Sequence, residues 1–334
     1  MSIKAYAIKN KSGKAEPFFY DRNIGKNEIL VKVTHCGIAR GDIHFIDDDW
    51  GDTKFPLVPG HEVIGIIEET GSGATSLKKG DRVGIGYQQE ACFNCQFCKE
   101  GNEQFCLKQK VIAVDCFGGL AEHIIVDSRF AFELSPKLDS AKSIPLLSSG
   151  LTVYTGITKA KLRSSYEVAV LGVGGLGHLA IQFLHKMGHR VSAFSHSPEK
   201  KEIIERIGAD YVDSNSQSLS SYERKFDFII STLNVDFELD SYLKMLKPQG
   251  KFCLVGLPLK KLSFSVGLLA DYAQRTVYGN YTGSRKNMKD MIAFSAKNGI
   301  EGIVEVLPFS KMNEAIDKVR RKKVPIRLVL ENRK

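Results

Sequence analysis

The chain has 334 residues, 43% hydrophobic and 25% charged. That length favours two domains, and the composition excludes a disordered tail, a collagen and a disulfide-framework peptide. Lysine and arginine number 47 against 38 acidic residues, a formal net charge of +9, which favours small anions or nucleic acid as partners. The basic residues are scattered apart from Arg320-Arg321-Lys322-Lys323. No zinc-finger helix, basic zipper or aromatic-basic strand accompanies them, so the charge reads as solvated surface and nucleic acid is not an expected partner. No segment approaches about 18 consecutive apolar residues, and Met1 to Ile8 alternates like a strand rather than a signal peptide, so a cytoplasmic protein without membrane association is expected.

The first 135 or so residues read as β-rich. Ile29 to Val33, Val63 to Ile67 and Arg82 to Ile85 are short apolar runs bounded by Gly, Asp and Lys. Cys92, Cys95, Cys98 and Cys106 come next with the spacing C-x2-C-x2-C-x7-C. In a reducing compartment such a cluster indicates a metal site before disulfides. Four thiolates close a tetrahedral zinc site with no open position, so the zinc is expected to be structural and to organise its own lobe, residues 90–107. Iron–sulfur ligation is the alternative and fits the spacing poorly. Cys36, Cys116 and Cys253 are expected to be small, buried or half-buried thiols.

The Ser-rich stretch Ser140 to Gly150 reads as a domain junction. Beyond Thr152 strands alternate with helices: Val168 to Leu171, a helix from Leu176 to Met187, Val191 to Phe194, a helix from Pro198 to Ile207, then strands at Phe226 to Ser231, Gly250 to Gly256 and Thr276 to Asn280. That alternation predicts a doubly wound parallel sheet with helices on both faces. Helices at Met288 to Asn298 and Ser310 to Val319 and a strand at Ile326 to Leu330 end the chain.

Gly172-Val173-Gly174-Gly175-Leu176-Gly177 is G-x-G-x-x-G between an apolar strand and a helix, the context that makes this weak motif a dinucleotide site. Gly172 permits the turn, Gly174 lets the backbone approach a pyrophosphate, Gly177 lets the helix pack on the sheet, and the helix N-terminus stabilises the anion. An acid ending the next strand would bind the ribose 2′-hydroxyl of NAD. Here Ser195, His196, Ser197 and Lys200 occupy that region; hydroxyls and a cation suit a 2′-phosphate, so NADP(H) is the expected coenzyme. The plainer reading is that these residues cap the following helix, and both can hold together.

Together the two motifs resemble the zinc-containing medium-chain dehydrogenase/reductase superfamily, and most of all its cinnamyl-alcohol-dehydrogenase-like, NADP-dependent branch. Val58-Pro59-Gly60-His61-Glu62, Gly80-Asp81-Arg82-Val83-Gly84, Pro145-Leu146-Leu147, Gly150 to Tyr154 and Leu254 to Pro258 carry the likeness over essentially the whole chain. The resemblance implies a GroES-like catalytic domain, residues 1–149 and 285–334, with a Rossmann domain, residues 150–284, inserted in it and an active cleft between the two. It also implies a homodimer through the Rossmann domains near Thr276 to Asn280, and a small-molecule substrate. On the coenzyme side it places Arg40, near the pyrophosphate, with Thr152, Val255 and Gly256.

The family also carries a catalytic zinc, and here the likeness breaks. The family's C-G-x-C-H-[ST]-D-x-H is Cys36-Gly37-Ile38-Ala39-Arg40-Gly41-Asp42-Ile43-His44, with Ala39 at the ligand position and Gly41 in place of the relay hydroxyl. Its P-L-L-C-x-G is Pro145-Leu146-Leu147-Ser148-Ser149-Gly150, with Ser148 at the ligand position. Only His61 remains, beside Glu62. One imidazole with a neutral hydroxyl is a poor zinc site, so no catalytic zinc is expected. The carbonyl then loses several kcal/mol of polarisation. The expected acceptor of the hydride is an iminium, a conjugated C=C, or a carbonyl activated by a protein acid. Asp42, which by the resemblance supports the histidine, and His61 are the candidate acid–base pair, and Glu62 a stabiliser of positive charge; the resemblance also implies that His44 is a terminal proton relay near the coenzyme ribose and Trp50 a pocket-wall residue, with Ser148 in the same pocket. The bland alternative for His61 is a paired core histidine. A conventional zinc-dependent alcohol dehydrogenase and an NADPH-binding protein without turnover are the rival functions.

Overall fold

The computed structural model describes residues 1–215, 218–258, 260–321, 324 and 326–332. Lys322 and Lys323 of the basic cluster lie outside them. The chain divides into two compact units, Met1–Ser148 with Gly283–Lys334, and Ser149–Thr282.

The first unit is built on a largely antiparallel sheet. Among the described residues its order is Val304–Pro308, Arg327–Glu331, Glu28–Ile38, Val63–Thr70, Arg82–Ile85 and Ala131–Glu133, with His123–Asp127 also pairing with Glu28–Ile38. Strand Arg327–Glu331, from the far end of the chain, thus lies directly against Glu28–Ile38. Ile29, Val31, Val33, Val63, Ile67, Val83, Ile85, Leu328 and Leu330 are all buried in one core. The long strand Glu28–Ile38 is irregular against Val63–Thr70, with register shifts at Leu30/Val31 and Val33/His35. Such bulges bend a strand and re-aim the segment beyond it, and here that segment is the helix Arg40–Ile46.

The second unit is a six-stranded sheet among the described residues, ordered Asp210–Asp213, Arg190–Ser195, Glu167–Leu171, Phe226–Ser231, Leu246–Leu254 and Thr276–Gly279, and every pairing is parallel. Val168, Ala169, Val170 and Leu171 are all buried, as a strand covered on both faces requires. The order reverses beside Glu167–Leu171, the switch point at which such sheets bind ligands.

Three examples show where elements differ from their sequence expectation. The strand expected from Gly250 begins at Leu246, because its pairing jumps from Leu246 to Lys251 across a bulge in which Gln249 has φ 60°; it stops before Gly256 because the amides of Val255 and Gly256 both turn to the Ser231 carbonyl. The helix expected over Pro198 to Ile207 is a 3-10 turn, Pro198–Lys200, followed by Lys201–Arg206. The helix expected from Met288 begins at Arg285, where Ser284 and Asn287 cap each other reciprocally.

Gly65 pairs with Val33, between the two register shifts, and a Cβ there would sit 2.2 Å from the Lys32 carbonyl oxygen. Backbone cannot yield as a side chain can, so Gly65→Ala is expected to destabilise the protein by about 2–3 kcal/mol. Denaturant unfolding measures this, and a loss below about 0.5 kcal/mol would show that the strands separate freely.

Candidate functional site

Ala39 precedes the helix Arg40–Ile46 and has no side chain with which to cap it. Asp42, on the first turn, reaches back instead. Its Oδ2 accepts from the Ala39 amide at 2.8 Å, and its Oδ1 accepts from the Gly60 amide at 2.9 Å and from His61 Nδ1 at 3.0 Å. The carboxylate is fully buried. Burial alone would raise its pKa, but the charge and hydrogen bond of His61, then the two amides, hold it below the ordinary carboxylate range. His61 mirrors this: burial would lower the imidazole, yet the Asp42 charge and hydrogen bond, with Glu62 beyond, raise it above its ordinary value. The two form a buried carboxylate–imidazole pair in which Nδ1 is committed to Asp42 and Nε2 is the ring's remaining nitrogen. The Tyr87 ring, which sequence reading missed, stands edge-on at 6.1 Å. A Cβ at Gly41 would lie 3.5 Å from His61 Cε1, so the position that lacks a side chain adjoins that edge of the imidazole.

Glu62 is also fully buried, and Arg327 Nη2 donates to its Oε1 at 2.8 Å. Sequence reading missed Arg327, for no local signal joins residues 265 positions apart. Ser148 comes directly after the 3-10 turn Ile144–Leu147 and is half-buried. His44 Nδ1 pairs with Asp49 at 2.5 Å, and its ring lies 5.2 Å from that of Trp50, which is 45% exposed. Arg40 donates to the Arg320 carbonyl at 3.3 Å.

The four lobe cysteines converge, with all their sulfurs within 4.8 Å of one another. The amides of Asn94 and Cys95 donate to Cys92 Sγ at 3.4 and 3.3 Å, and the Cys92 amide donates to Cys106 Sγ at 3.4 Å. Amides aimed at sulfur stabilise thiolate, and those of Asn94 and Cys95 bring the Cys92 thiol down to about 6. The donor set fits the tetrahedral structural zinc that the spacing predicts. Among the described residues it is the single group of three or more His, Cys, Asp or Glu side chains close enough to share a metal. The other thiols are raised by burial, Cys36 well above its ordinary value, Cys116 to about 11 and Cys253 to about 12. None of these three has the lowered pKa of a reactive thiol.

In the second unit Gly172 has φ 83°, and a Cβ on Gly177 would lie 2.0 Å from the Gly172 carbonyl oxygen. Both positions therefore require glycine. A Cβ on Gly174 would meet nothing within 4 Å, so the space in front of that residue is open, and Gly175 and Leu176 lead from it into the helix Gly177–Lys186. That cradle suits a pyrophosphate approaching the backbone. Ser195 ends its strand and is buried, and its Oγ accepts from the Ser197 amide at 3.2 Å; His196 beside it is exposed. Lys200 Nζ donates to the Val173 carbonyl at 2.9 Å, and burial lowers its pKa. The cation thus stands against the glycine loop. Thr152 Oγ1 donates to the Tyr281 carbonyl at 2.5 Å. A Cβ on Gly256 would lie 2.0 Å from the Leu233 carbonyl oxygen. No helix among the described residues is long and apolar enough to cross a membrane.

The chain is similar to known proteins in both units. A family model described as the alcohol dehydrogenase GroES-like domain matches residues 25–136, and one described as zinc-binding dehydrogenase matches residues 175–297. An aldehyde reductase of Synechocystis is 35% identical over 335 residues, covering 99% of each chain. Among solved structures, a cinnamyl alcohol dehydrogenase of Sorghum bicolor superposes with a TM-score of 0.93 at 30% identity, covering 99% of this chain and 98% of that one. A cinnamyl alcohol dehydrogenase of Helicobacter pylori, complexed with NADP(H), gives 0.91 at 31% identity, covering 100% and 99%.

Replacing Arg327 by Met leaves the Glu62 charge buried without its guanidinium, and the expected loss is about 3–5 kcal/mol of unfolding free energy. Equilibrium denaturation reads it; a change under about 1 kcal/mol would mean that solvent already shares in holding the carboxylate.

Proposed function

Because the chain belongs to the zinc-type medium-chain dehydrogenase/reductase superfamily, in its cinnamyl-alcohol-dehydrogenase-like branch, we propose that it is an NADP(H)-dependent reductase of aldehydes in which His61, rather than a metal, delivers the proton. The relatives, by their names an aldehyde reductase and alcohol dehydrogenases, favour a carbonyl acceptor over the iminium and conjugated C=C that the altered ligand positions first suggested. They also count against a coenzyme-binding protein without turnover. NADP(H) is supported by Ser195 and Lys200 where an acid would select NAD, and by the coenzyme in the Helicobacter structure.

The observation that carries the metal-free part is the donor set. Ala39 offers a methyl group, Ser148 a neutral hydroxyl, and His61 alone a strong ligand, where catalytic zinc usually has three protein ligands. These residues do not fit a zinc ion. When bound, the coenzyme supplies a hydride to the carbonyl carbon. His61 Nε2–H gives its proton to the carbonyl oxygen as the alcohol forms, and in the reverse direction the neutral ring takes the proton back. Asp42 orients the ring and favours its charged form. Glu62 adds negative charge beyond it. Trp50 and Ser148 stay on the substrate side of the proposal, His44 is kept as a terminal proton relay near the coenzyme ribose, and Arg40, Thr152, Val255 and Gly256 are on the coenzyme side. A homodimer is proposed to meet at the open edge strand Thr276–Gly279, near exposed Val266, Tyr272 and Tyr281.

The second reading is a conventional zinc-dependent alcohol dehydrogenase, and the relatives favour it. Elemental analysis of freshly purified protein separates the two: one zinc per chain is expected, held by the cysteine lobe, and two would establish the conventional enzyme. The pH profile tests His61 itself. Its imidazole holds a proton above the ordinary value, so reduction is expected to be fast at low pH and to fall as pH rises through that raised pKa. Asp42→Asn removes the charge that raises it and should move the fall to lower pH; an unmoved profile would assign the proton to another group. Lys200→Ala is expected to weaken NADPH by on the order of tenfold more than NADH, whereas equal losses would leave Lys200 only its contact with the Val173 carbonyl.

A further inference from the structure

We propose that His178 is a positioning residue for the coenzyme pyrophosphate, acting through the Gly174–Gly175 peptide. The proposal rests on reading the glycine loop as the coenzyme cradle. His178 is fully buried in the first turn of the helix Gly177–Lys186. Its Nδ1 lies 2.9 Å from the Gly174 carbonyl oxygen, and its backbone amide donates to the same oxygen at 3.2 Å. A carbonyl only accepts, so Nδ1 carries the hydrogen and the tautomer is set.

Two donors on one oxygen fix the direction of the Gly174 carbonyl, toward the body of the helix. The peptide is planar and trans, so the Gly175 N–H at its other end points the opposite way, out past the helix N-terminus. The amides of a first helical turn have no acceptor within the helix and are free to meet an anion. The space before Gly174 is open.

This peptide needs holding because a glycine stands on each side of it. Rotating it end for end changes only the Gly174 ψ and the Gly175 φ, and neither residue has a Cβ to resist. The turned peptide would aim its carbonyl oxygen at the phosphate and withdraw an N–H, replacing attraction by repulsion. The back-bond from His178 opposes that rotation. The two preceding carbonyls are also held from behind, Gly172 by Thr232 Oγ1 at 2.9 Å and Val173 by Lys200 Nζ at 2.9 Å. Lys200 is already assigned to the 2′-phosphate, and Thr232 Oγ1 also approaches the Leu171 carbonyl at 3.1 Å. His178 is the one of the three that bears on the peptide between the two glycines.

The test is the affinity of the full-length protein for NADPH, NADH and adenosine 2′-monophosphate, which lacks the pyrophosphate. His178→Leu keeps an apolar side chain in the buried site but no donor. It should weaken NADPH and NADH by the same factor, about fivefold to tenfold for one hydrogen bond. Adenosine 2′-monophosphate should bind unchanged, and kcat at saturating coenzyme should stay within about twofold, since the reacting atoms are not touched. His178→Asn, whose amide can donate to the carbonyl four residues back, should restore most of the affinity. Unchanged NADPH and NADH binding would overturn the proposal, and so would an equal loss for adenosine 2′-monophosphate, which would report general damage. If the leucine variant does not fold, nitrogen-15 NMR of histidine-labelled wild-type protein decides: the Nδ1–H tautomer at His178 is expected, and the Nε2–H tautomer overturns the proposal. Wild-type protein that binds NADH as tightly as NADPH overturns the 2′-phosphate reading alone and leaves the NADH measurement to test His178.

Discussion

One buried carboxylate organises the first unit. Asp42 has no exposed surface, yet it accepts from two backbone amides and an imidazole. A buried anion with fewer partners would be protonated or would pull water in. With three donors it stays charged, and the donors are thereby fixed in space. They come from the start of a helix and from the turn Gly60-His61, so the contact ties two segments 18 positions apart in sequence. The turn in its own right admits little choice: Gly60 has φ 96°, and a Cβ on it would lie 2.4 Å from Cys36 Sγ. The imidazole orientation is thus set by backbone geometry on one side and a single carboxylate on the other.

The neighbouring pair extends the same logic across the chain. Glu62 adjoins His61, and its partner Arg327 arrives on the strand Arg327–Glu331, which pairs with Glu28–Ile38. The last strand therefore brings the counter-charge that lets a second carboxylate remain buried beside the first. Burial is the largest single influence on His61 and lowers its pKa; the charge and hydrogen bond of Asp42 oppose it, with Glu62 raising the pKa further and Arg327 lowering it. Asp42 and Glu62 together outweigh burial and the guanidinium, so the histidine keeps its raised value.

Much of this fold was legible in the sequence because its signals are local. Val168 to Leu171 is an uninterrupted apolar run between a polar stretch and a glycine loop, and the strand Glu167–Leu171 lies central in a parallel sheet. The cysteine spacing announces four sulfurs that do converge. The features missed lie in two classes. Element starts were misplaced where a less common local device operates. The helix Arg285–Asn298 is opened by a reciprocal Ser284–Asn287 cap, whereas the familiar capping-box signature has Glu or Gln at the third position. Long-range partners were invisible for a different reason: nothing near Glu62 points to Arg327, and nothing near Lys200 points to the Val173 carbonyl. His178 lies between the two classes. Its spacing from Gly174 is the i, i+4 of one helical turn and was available in the sequence, but a histidine just inside an apolar helix gives no sign of turning back to a loop carbonyl.

The two polar centres solve one physical problem in different ways. In the first unit the polar atoms are buried charges, and burying charges is unfavourable even when they are paired; an apolar replacement of the same volume is often as stable or more so. Stability therefore does not by itself account for an Asp42–His61 pair at that depth, and the raised imidazole pKa is a property that an apolar core could not offer. In the second unit the arrangement is the inverse. The donors Thr232, Lys200 and His178 face loop carbonyls, so the loop's acceptors are engaged from behind, which favours presenting its amides forward. One centre raises the pKa of a ring through a carboxylate, and the other engages the carbonyls of a glycine loop. Both are set by hydrogen bonds whose directions are fixed by side chains.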